Sequence, residues 1–429
     1  MKSSRLTLVT ASTLALAACS DGGVAPKSAE ISPAESRSAK PASYMSNYVA
    51  IGTSLSMGWA SDGVYVVSQR TSWPKQLAEQ TGADFTIPSI DAPGCQPPYA
   101  APLIAFKRID GSSAAHSDVC APNVAGVTLP THNLAIENAT ASEALDATPA
   151  TATQGRGPVT SRVLPAGMTQ ITAMASLHPT FVSVEFGGNE LLPAQVGLLI
   201  PGVTFTPLAT FKSNYAQIID GVKATGAKAV LVTIRTDLRN FPTIRTGPEI
   251  ASQRSAFAAY NVSVNADCDA SENFVFVRGK VPTAIITGIT LAGRGLGPYD
   301  LSCADVAGTV DYILTPSDIA FLTNLAAQMS DEIESKAAEN GYAFFSLGAL
   351  FDKSKNDLPF ELEAFLKSGA PYGSLISLDG VHPTEKGQTK LARAARHAIQ
   401  RTYGPPGKPD GKPDGKPDGE PDGEPDGKP

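Results

Sequence analysis

The sequence predicts an α/β protein, a three-layer α/β/α sandwich around a parallel central sheet, with loop-rich insertions. Three observations carry this. Apolar runs alternate with stretches of helical periodicity, the pattern that gives a parallel sheet sandwiched by helices. Ala227 to Ile234 reads as one apolar run, which suits a strand covered on both faces. Two long segments, Ala92 to Pro165 and Asp267 to Thr315, fit no strand–helix unit, are rich in Pro, Gly and Thr, and each carry one cysteine pair.

In chain order, Tyr48 to Ile51 is a short strand and Trp73 to Gln80 a helix begun by Ser72 and Pro74. Phe85 to Ile87 is a second short strand, Met168 to Leu177 a helix, and Phe181 to Phe186 a buried strand. An amphipathic helix from Phe211 to Ala224 precedes the apolar strand Ala227 to Ile234. Ile319, Leu322, Leu325, Met329 and Ile333 recur at three- and four-residue steps and mark a long helix. The strand Ala343 to Leu347 and a final helix from Thr384 to Arg401 complete the pattern.

The ends are of another kind. Lys2 and Arg5 precede an uncharged, mostly apolar run from Leu6 to Ala18 that closes on Leu16-Ala17-Ala18-Cys19, the layout of a secretion signal. The tetrapeptide resembles the lipobox of bacterial lipoproteins, which implies cleavage before Cys19 and acylation there; the simpler alternative is an ordinary signal peptide cut after Ala18. Removing residues 1–18 takes two basic and no acidic residues, so the charge goes from −7 to −7 − 2 = −9. Ser20, not Asp, follows the cysteine, which points to the outer membrane of the cell envelope. Residues 19–43 read as a lipidated flexible tether and residues 44–403 as the folding domain. The tail, 404–429, repeats Gly-Lys-Pro-Asp or Gly-Glu-Pro-Asp without an apolar side chain. It is either a solvated extension or a wall- or partner-binding repeat.

Of the five cysteines, Cys95, Cys120, Cys268 and Cys303 remain beyond Cys19. An even number in an exported chain favours disulfides between sequence neighbours, and the absence of C-x-x-C spacing speaks against a zinc or redox site. With 34 Lys and Arg against 41 Asp and Glu, and no basic run, a nucleic-acid partner has no electrostatic footprint. No metal or cofactor is expected.

Three motifs fall just beyond strand ends, where such a sheet places functional loops. Gly52-Thr53-Ser54-Leu55 follows the first strand; a serine on a tight Gly-started turn can be lifted to meet a base. Gly187-Gly188-Asn189-Glu190 follows Phe181 to Phe186, offering glycine flexibility and an amide donor. Asp379-Gly380-Val381-His382-Pro383 precedes the last helix, its acid and imidazole close enough to share one turn. His116, His132, His178 and His397 have no such partner pattern, and Gly293 to Gly297 is followed by Pro298 and Tyr299 instead of a phosphate-binding helix.

These blocks resemble the SGNH hydrolase superfamily, the GDSL esterases and lipases, over most of Tyr48 to Thr402. The resemblance implies a flavodoxin-like three-layer fold, Ser54 as nucleophile with Thr53 in the place of the family's aspartate, His382 as base and Asp379 as orienting acid. Asn133 to Ala139 matches the second block, with Asn138 where glycine is usual. Asn189 matches the third block's oxyanion donor, the glycine of that block being Gly187 or Gly188, and Glu190 replaces its aspartate. The oxyanion would then be met by the Ser54 N–H, the Asn189 amide and the Asn138 N–H. The implied activity is hydrolysis of carboxylic esters, with lipid, acetylated glycan and thioester substrates all open. Because Thr53, Asn138 and Glu190 depart together, a non-catalytic envelope binding lipoprotein on a decayed scaffold is the alternative. An elbow of the G-x-S-x-G kind is disfavoured, since Ser56 occupies its last position.

Overall fold

Every residue of the strands Tyr48–Gly52 and Phe181–Glu185 is buried, as near-continuous apolar strands require when helices cover both faces. The computed structural model describes residues 43–404 apart from 116, 118, 154–155 and 352–358. Its central sheet runs Tyr48–Gly52, Phe181–Glu185, Lys228–Thr233, Ala343–Ser346, all parallel. The helices fall into two separately packed groups. Trp73–Thr81 lies against Glu385–Tyr403, which covers Ala343–Ser346, while Leu208–Ala224 lies against Pro316–Asn340, which covers Lys228–Thr233. The sheet is the middle layer, and the α/β fold expected from the alternating pattern is the one observed.

Element bounds follow the sequence reading within a few residues, including the helix at Gln170–Ser176. One strand does not form. Phe85 to Ile87 has no ladder, because the edge beside Tyr48–Gly52 is taken by the loop after Thr131. His132 O accepts from Ala50 N, and Leu134 N donates to Ala50 O, each at 2.8 Å. Thr86 bonds to that loop instead, through His132 Nδ1 and the Asn133 N–H.

The first insertion is loop-rich as expected, with short helices at Ala141–Asp146 and Gly157–Val163. The second is not. It holds the helix Val277–Gly293, and its strands Phe274–Phe276 and Ile313–Leu314 build a three-stranded antiparallel sheet with Ile244–Thr246. Gly279, Pro282 and Gly288 lie inside that helix and masked it in the sequence. Gly288 is a packing device, since a Cβ there would lie 2.4 Å from the carbonyl oxygen of Tyr260. Cys95 is joined to Cys120 and Cys268 to Cys303, the neighbouring pairs.

The leader, Cys19, the tether and the repeats beyond Gly404 lie outside the described residues. Among those described, no helix is long and apolar enough to cross a membrane.

Candidate active site

Ser54 is raised by a close approach of two strands. Gly52 faces Glu185 in register and takes φ +156°, and a Cβ there would lie 2.9 Å from the Glu185 carbonyl oxygen. Its N–H donates to Gln170 Oε1 at 2.9 Å. The chain then turns through extended Thr53 into a single helical turn, Ser54–Met57. The Glu185 carboxylate holds that turn from below: Thr53 N donates to it at 3.0 Å, Thr53 Oγ1 at 2.8 Å and Ser56 Oγ at 3.1 Å. Thr53, where the family carries aspartate, is therefore a donor to a carboxylate from the next strand. Burial pushes the Glu185 carboxyl up to about 7, against these hydrogen bonds.

His382 Nε2 lies 2.8 Å from Ser54 Oγ, and His382 Nδ1 lies 2.9 Å from Asp379 Oδ2. All three side chains are buried. Asp379 Oδ1 accepts from the N–H groups of Val381 and His382, both at 2.9 Å, so the turn itself fixes the carboxylate. Burial would raise this carboxyl. Bonded His382 and the Arg278 guanidinium instead hold it well below the usual range. An ionised carboxylate only accepts, so Nδ1 carries the proton and the Nε2 lone pair faces the serine hydroxyl.

A neighbouring turn braces the acid. Ser61 and Asp62 both sit in the left-handed region, at φ +54° and +60°, a conformation that non-glycine residues adopt at a cost. It directs two N–H groups at this loop, Ser61 N to Ser377 Oγ at 2.8 Å and Asp62 N to Asp379 Oδ2 at 2.7 Å.

Asn189 follows the second strand on the Gly187-Gly188 turn. One hydrogen of its amide goes to Ala139 O at 2.9 Å, which leaves the other available. Buried Glu190 ties the same two loops, accepting from Gly187 N at 2.9 Å and Ala141 N at 2.6 Å. Burial pushes its carboxyl up to about 7. Asn138 takes φ +53°, which explains why glycine is usual here and why asparagine is tolerated.

Ser54, Asn189 and His382 open onto one cavity walled mostly by apolar groups such as Leu191, Ile234, Phe241, Phe276 and Leu322, with Thr53, Gln195 and Thr236 among them. Asn138 is not on that wall. It lines the adjoining polar cavity, one residue from the Ala139 carbonyl that Asn189 engages. His132 is a structural partner of Thr86. His116 lies outside the described residues. The group Asp267, Cys268 and Cys303 offers no thiolates, since its sulfurs are joined to each other.

The sequence reading missed Glu185, Gln170, Asp62 and Arg278. A Glu ending a mostly apolar strand was a usable signal, because a carboxylate so placed must find partners. The other three gave none.

The description GDSL-like lipase/acylhydrolase matches residues 48–395. Among solved structures, the chain is similar to an extracellular lipase from Streptomyces rimosus at 15% identity, with 81% of this chain and 98% of that one covered and a TM-score of 0.34. It is similar to an acetylxylan esterase from Geobacillus stearothermophilus at 11% identity, with 82% and 93% covered and a TM-score of 0.34. A psychrotrophic esterase from Pseudoalteromonas sp. is similar at 12% identity, with 83% and 97% covered and a TM-score of 0.31. No curated protein matches the chain.

Proposed function

This chain belongs to the GDSL-like lipase/acylhydrolase family, and from that premise we propose that it hydrolyses carboxylic esters through a covalent acyl-enzyme on Ser54. The observation that carries the reading is the unbroken line Ser54 Oγ, His382, Asp379, with gaps of 2.8 and 2.9 Å. His382 Nε2 takes the serine proton as Oγ bonds to the ester carbonyl carbon. The charged imidazole is steadied by Asp379, then gives that proton to the departing alcohol oxygen as the ester C–O bond breaks. A water, deprotonated by the same nitrogen, attacks the acyl-enzyme; carboxylic acid leaves and Ser54 regains its proton.

The negative oxygen formed in each half is met by the Ser54 N–H, the free hydrogen of the Asn189 amide and the Asn138 N–H. Each donor contributes about 3 kcal/mol of barrier lowering. The acyl chain occupies the apolar cavity at Ser54. Thr53, Asn138 and Glu190, the departures from the family pattern, each have a hydrogen-bonded or conformational role that keeps the loops in place, which favours a working enzyme over a decayed scaffold.

Replacing Ser54 by Ala tests the reading. Turnover of p-nitrophenyl esters should fall by several orders of magnitude with the thermal midpoint retained, and a folded S54A protein with wild-type turnover would overturn it.

For the N-terminus, Leu16 to Cys19 supports anchoring of the mature chain by lipid on Cys19, in the outer membrane. Cys19→Ala should leave unprocessed precursor, whereas a soluble, correctly cleaved variant contradicts the anchor.

A further inference from the structure

A second cavity adjoins the triad, and its lining is far more polar, charged and polar side chains standing among apolar ones such as Val119, Pro158 and Val159. Trp59, Asp62, Tyr99, Glu137, Asn138 and Arg278 form much of its wall. It holds about 500 Å³ against about 110 Å³ for the apolar cavity. Three lining residues connect it to the reacting groups. Trp59 N donates to Ser54 O at 2.9 Å, and its ring centroid lies 6.4 Å from that of His382. Asp62 N donates to Asp379. Asn138 adjoins the carbonyl held by Asn189. A group leaving the Ser54 carbonyl away from the apolar cavity has this space beside it.

The two arginines that meet on Asp62 differ in what they have left to give. Arg108 is spent: its guanidinium donates to the carbonyls of Ala115, Pro97, Ala114 and Asp62 and to Asp62 Oδ2. Arg278, about three-quarters buried, makes one hydrogen bond among the described residues, to Asp62 Oδ1 at 3.1 Å. A guanidinium has five N–H donors, so most of those on Arg278 are unspent at the cavity wall. Glu137, half-buried and bonded to the Asn138 side chain through one oxygen, supplies an acceptor.

We propose that this polar cavity is the subsite for the alcohol half of the ester and that it selects a polyhydroxylated alcohol, a sugar or polyol, over an alkyl one. The inference rests on the acyl-enzyme reading of Ser54. Hydroxyl groups both donate and accept, and the wall sets the donors of Arg278 against the acceptor of Glu137 beside the Trp59 ring, both oxygens of Asp62 being engaged already. An anionic headgroup would be served by the arginine alone, whereas a hydroxyl also uses Glu137, whose carboxyl burial pushes up to about 7, where it can donate as well as accept. The remaining charges are already matched, Arg108 by Asp62 and Arg156 by Glu143. An alkyl alcohol would leave desolvated polar groups without partners, the situation in which a hydrogen-bonding site discriminates most strongly.

The test holds the acyl group fixed and varies the alcohol: kcat/KM for 6-O-octanoyl-glucose, ethyl octanoate, octanoyl-glycerol-3-phosphate and p-nitrophenyl octanoate, for wild type, Arg278→Met and Glu137→Gln. Wild type should favour the glucose ester over the ethyl ester at least about tenfold, and each substitution should compress that ratio about tenfold through KM for the glucose ester, Arg278→Met in addition lowering kcat for all four esters alike because it removes the cation beside Asp379. A merely structural effect of either substitution would lower all esters alike and leave the ratio standing, which overturns the subsite. So does equal wild-type use of the ethyl and glucose esters, and preference for the phosphate ester replaces the polyol by an anion. Turnover of the aryl ester without discrimination removes this inference alone, whereas failure to turn over any of the four removes the hydrolase reading with it.

Discussion

Two fully buried carboxylates flank Ser54, and they are held in opposite states. Asp379 accepts from three backbone N–H groups and from His382, with Arg278 nearby, and stays well below the usual carboxylate range despite its burial. Among the described residues Glu185 accepts from Thr53 and Ser56, all neutral donors, and is pushed up to about 7. Desolvation acts on both. What separates them is the cationic partner, which only Asp379 has. One region keeps its charge beside His382, and the other holds a turn with a carboxyl that gains a proton near neutral pH.

The comparison breaks first at Asp379. Asp379→Asn keeps the shape but removes the charge and the tautomer control, so kcat should fall by roughly 10⁴; a loss below about tenfold, measured on an octanoyl ester, would show that the charge is not used. Glu185→Gln should cost far less, under about tenfold in kcat or ~1.4 kcal/mol in barrier, because the amide oxygen still accepts from Thr53. A thousandfold loss there would make Glu185 part of the chemistry and erase the distinction.

Stability sharpens it further. Glu185 binds a proton more readily folded than unfolded between the ordinary value of 4.5 and about 7, so its contribution favours folding at the low end of that window and is lost as pH climbs through it. The sum is of the order of 3 kcal/mol. Asp379 has the opposite sign: its stabilisation is complete above the unfolded value near 3.9 and is lost only as pH falls toward its depressed folded value. Thermal midpoints between pH 4.5 and 7.5 should therefore show wild type losing ground to Glu185→Gln as pH rises. Parallel curves would contradict the raised carboxyl.

Much of this was legible in the sequence because it is local. Asp379 and His382 share one turn, so their spacing alone reveals a usable pair, and the strands around Ser54 and Asn189 are apolar runs with glycines at their ends. Glu185 under Thr53, Asp62 behind Asp379 and Arg278 across the second cavity are contacts between residues 132, 317 and 216 positions apart. No period or motif encodes such pairings. The helix Val277–Gly293 was hidden for a different reason: Gly279 and Gly288 answer to packing against Tyr312 and Tyr260, and tertiary contact overrides propensity there. Phe85 to Ile87 has strand composition, but a loop had taken the edge it needed.

The central claim is that Ser54 is the nucleophile, activated by His382 with Asp379 behind it, and covalent trapping tests it most directly. A fluorophosphonate incubated with the folded protein should leave a single adduct, and peptide mapping by mass spectrometry should locate it on Ser54, with labelling slowed strongly in His382→Ala. An unlabelled, fully folded wild type, or an adduct on another residue with Ser54 untouched, would contradict the account.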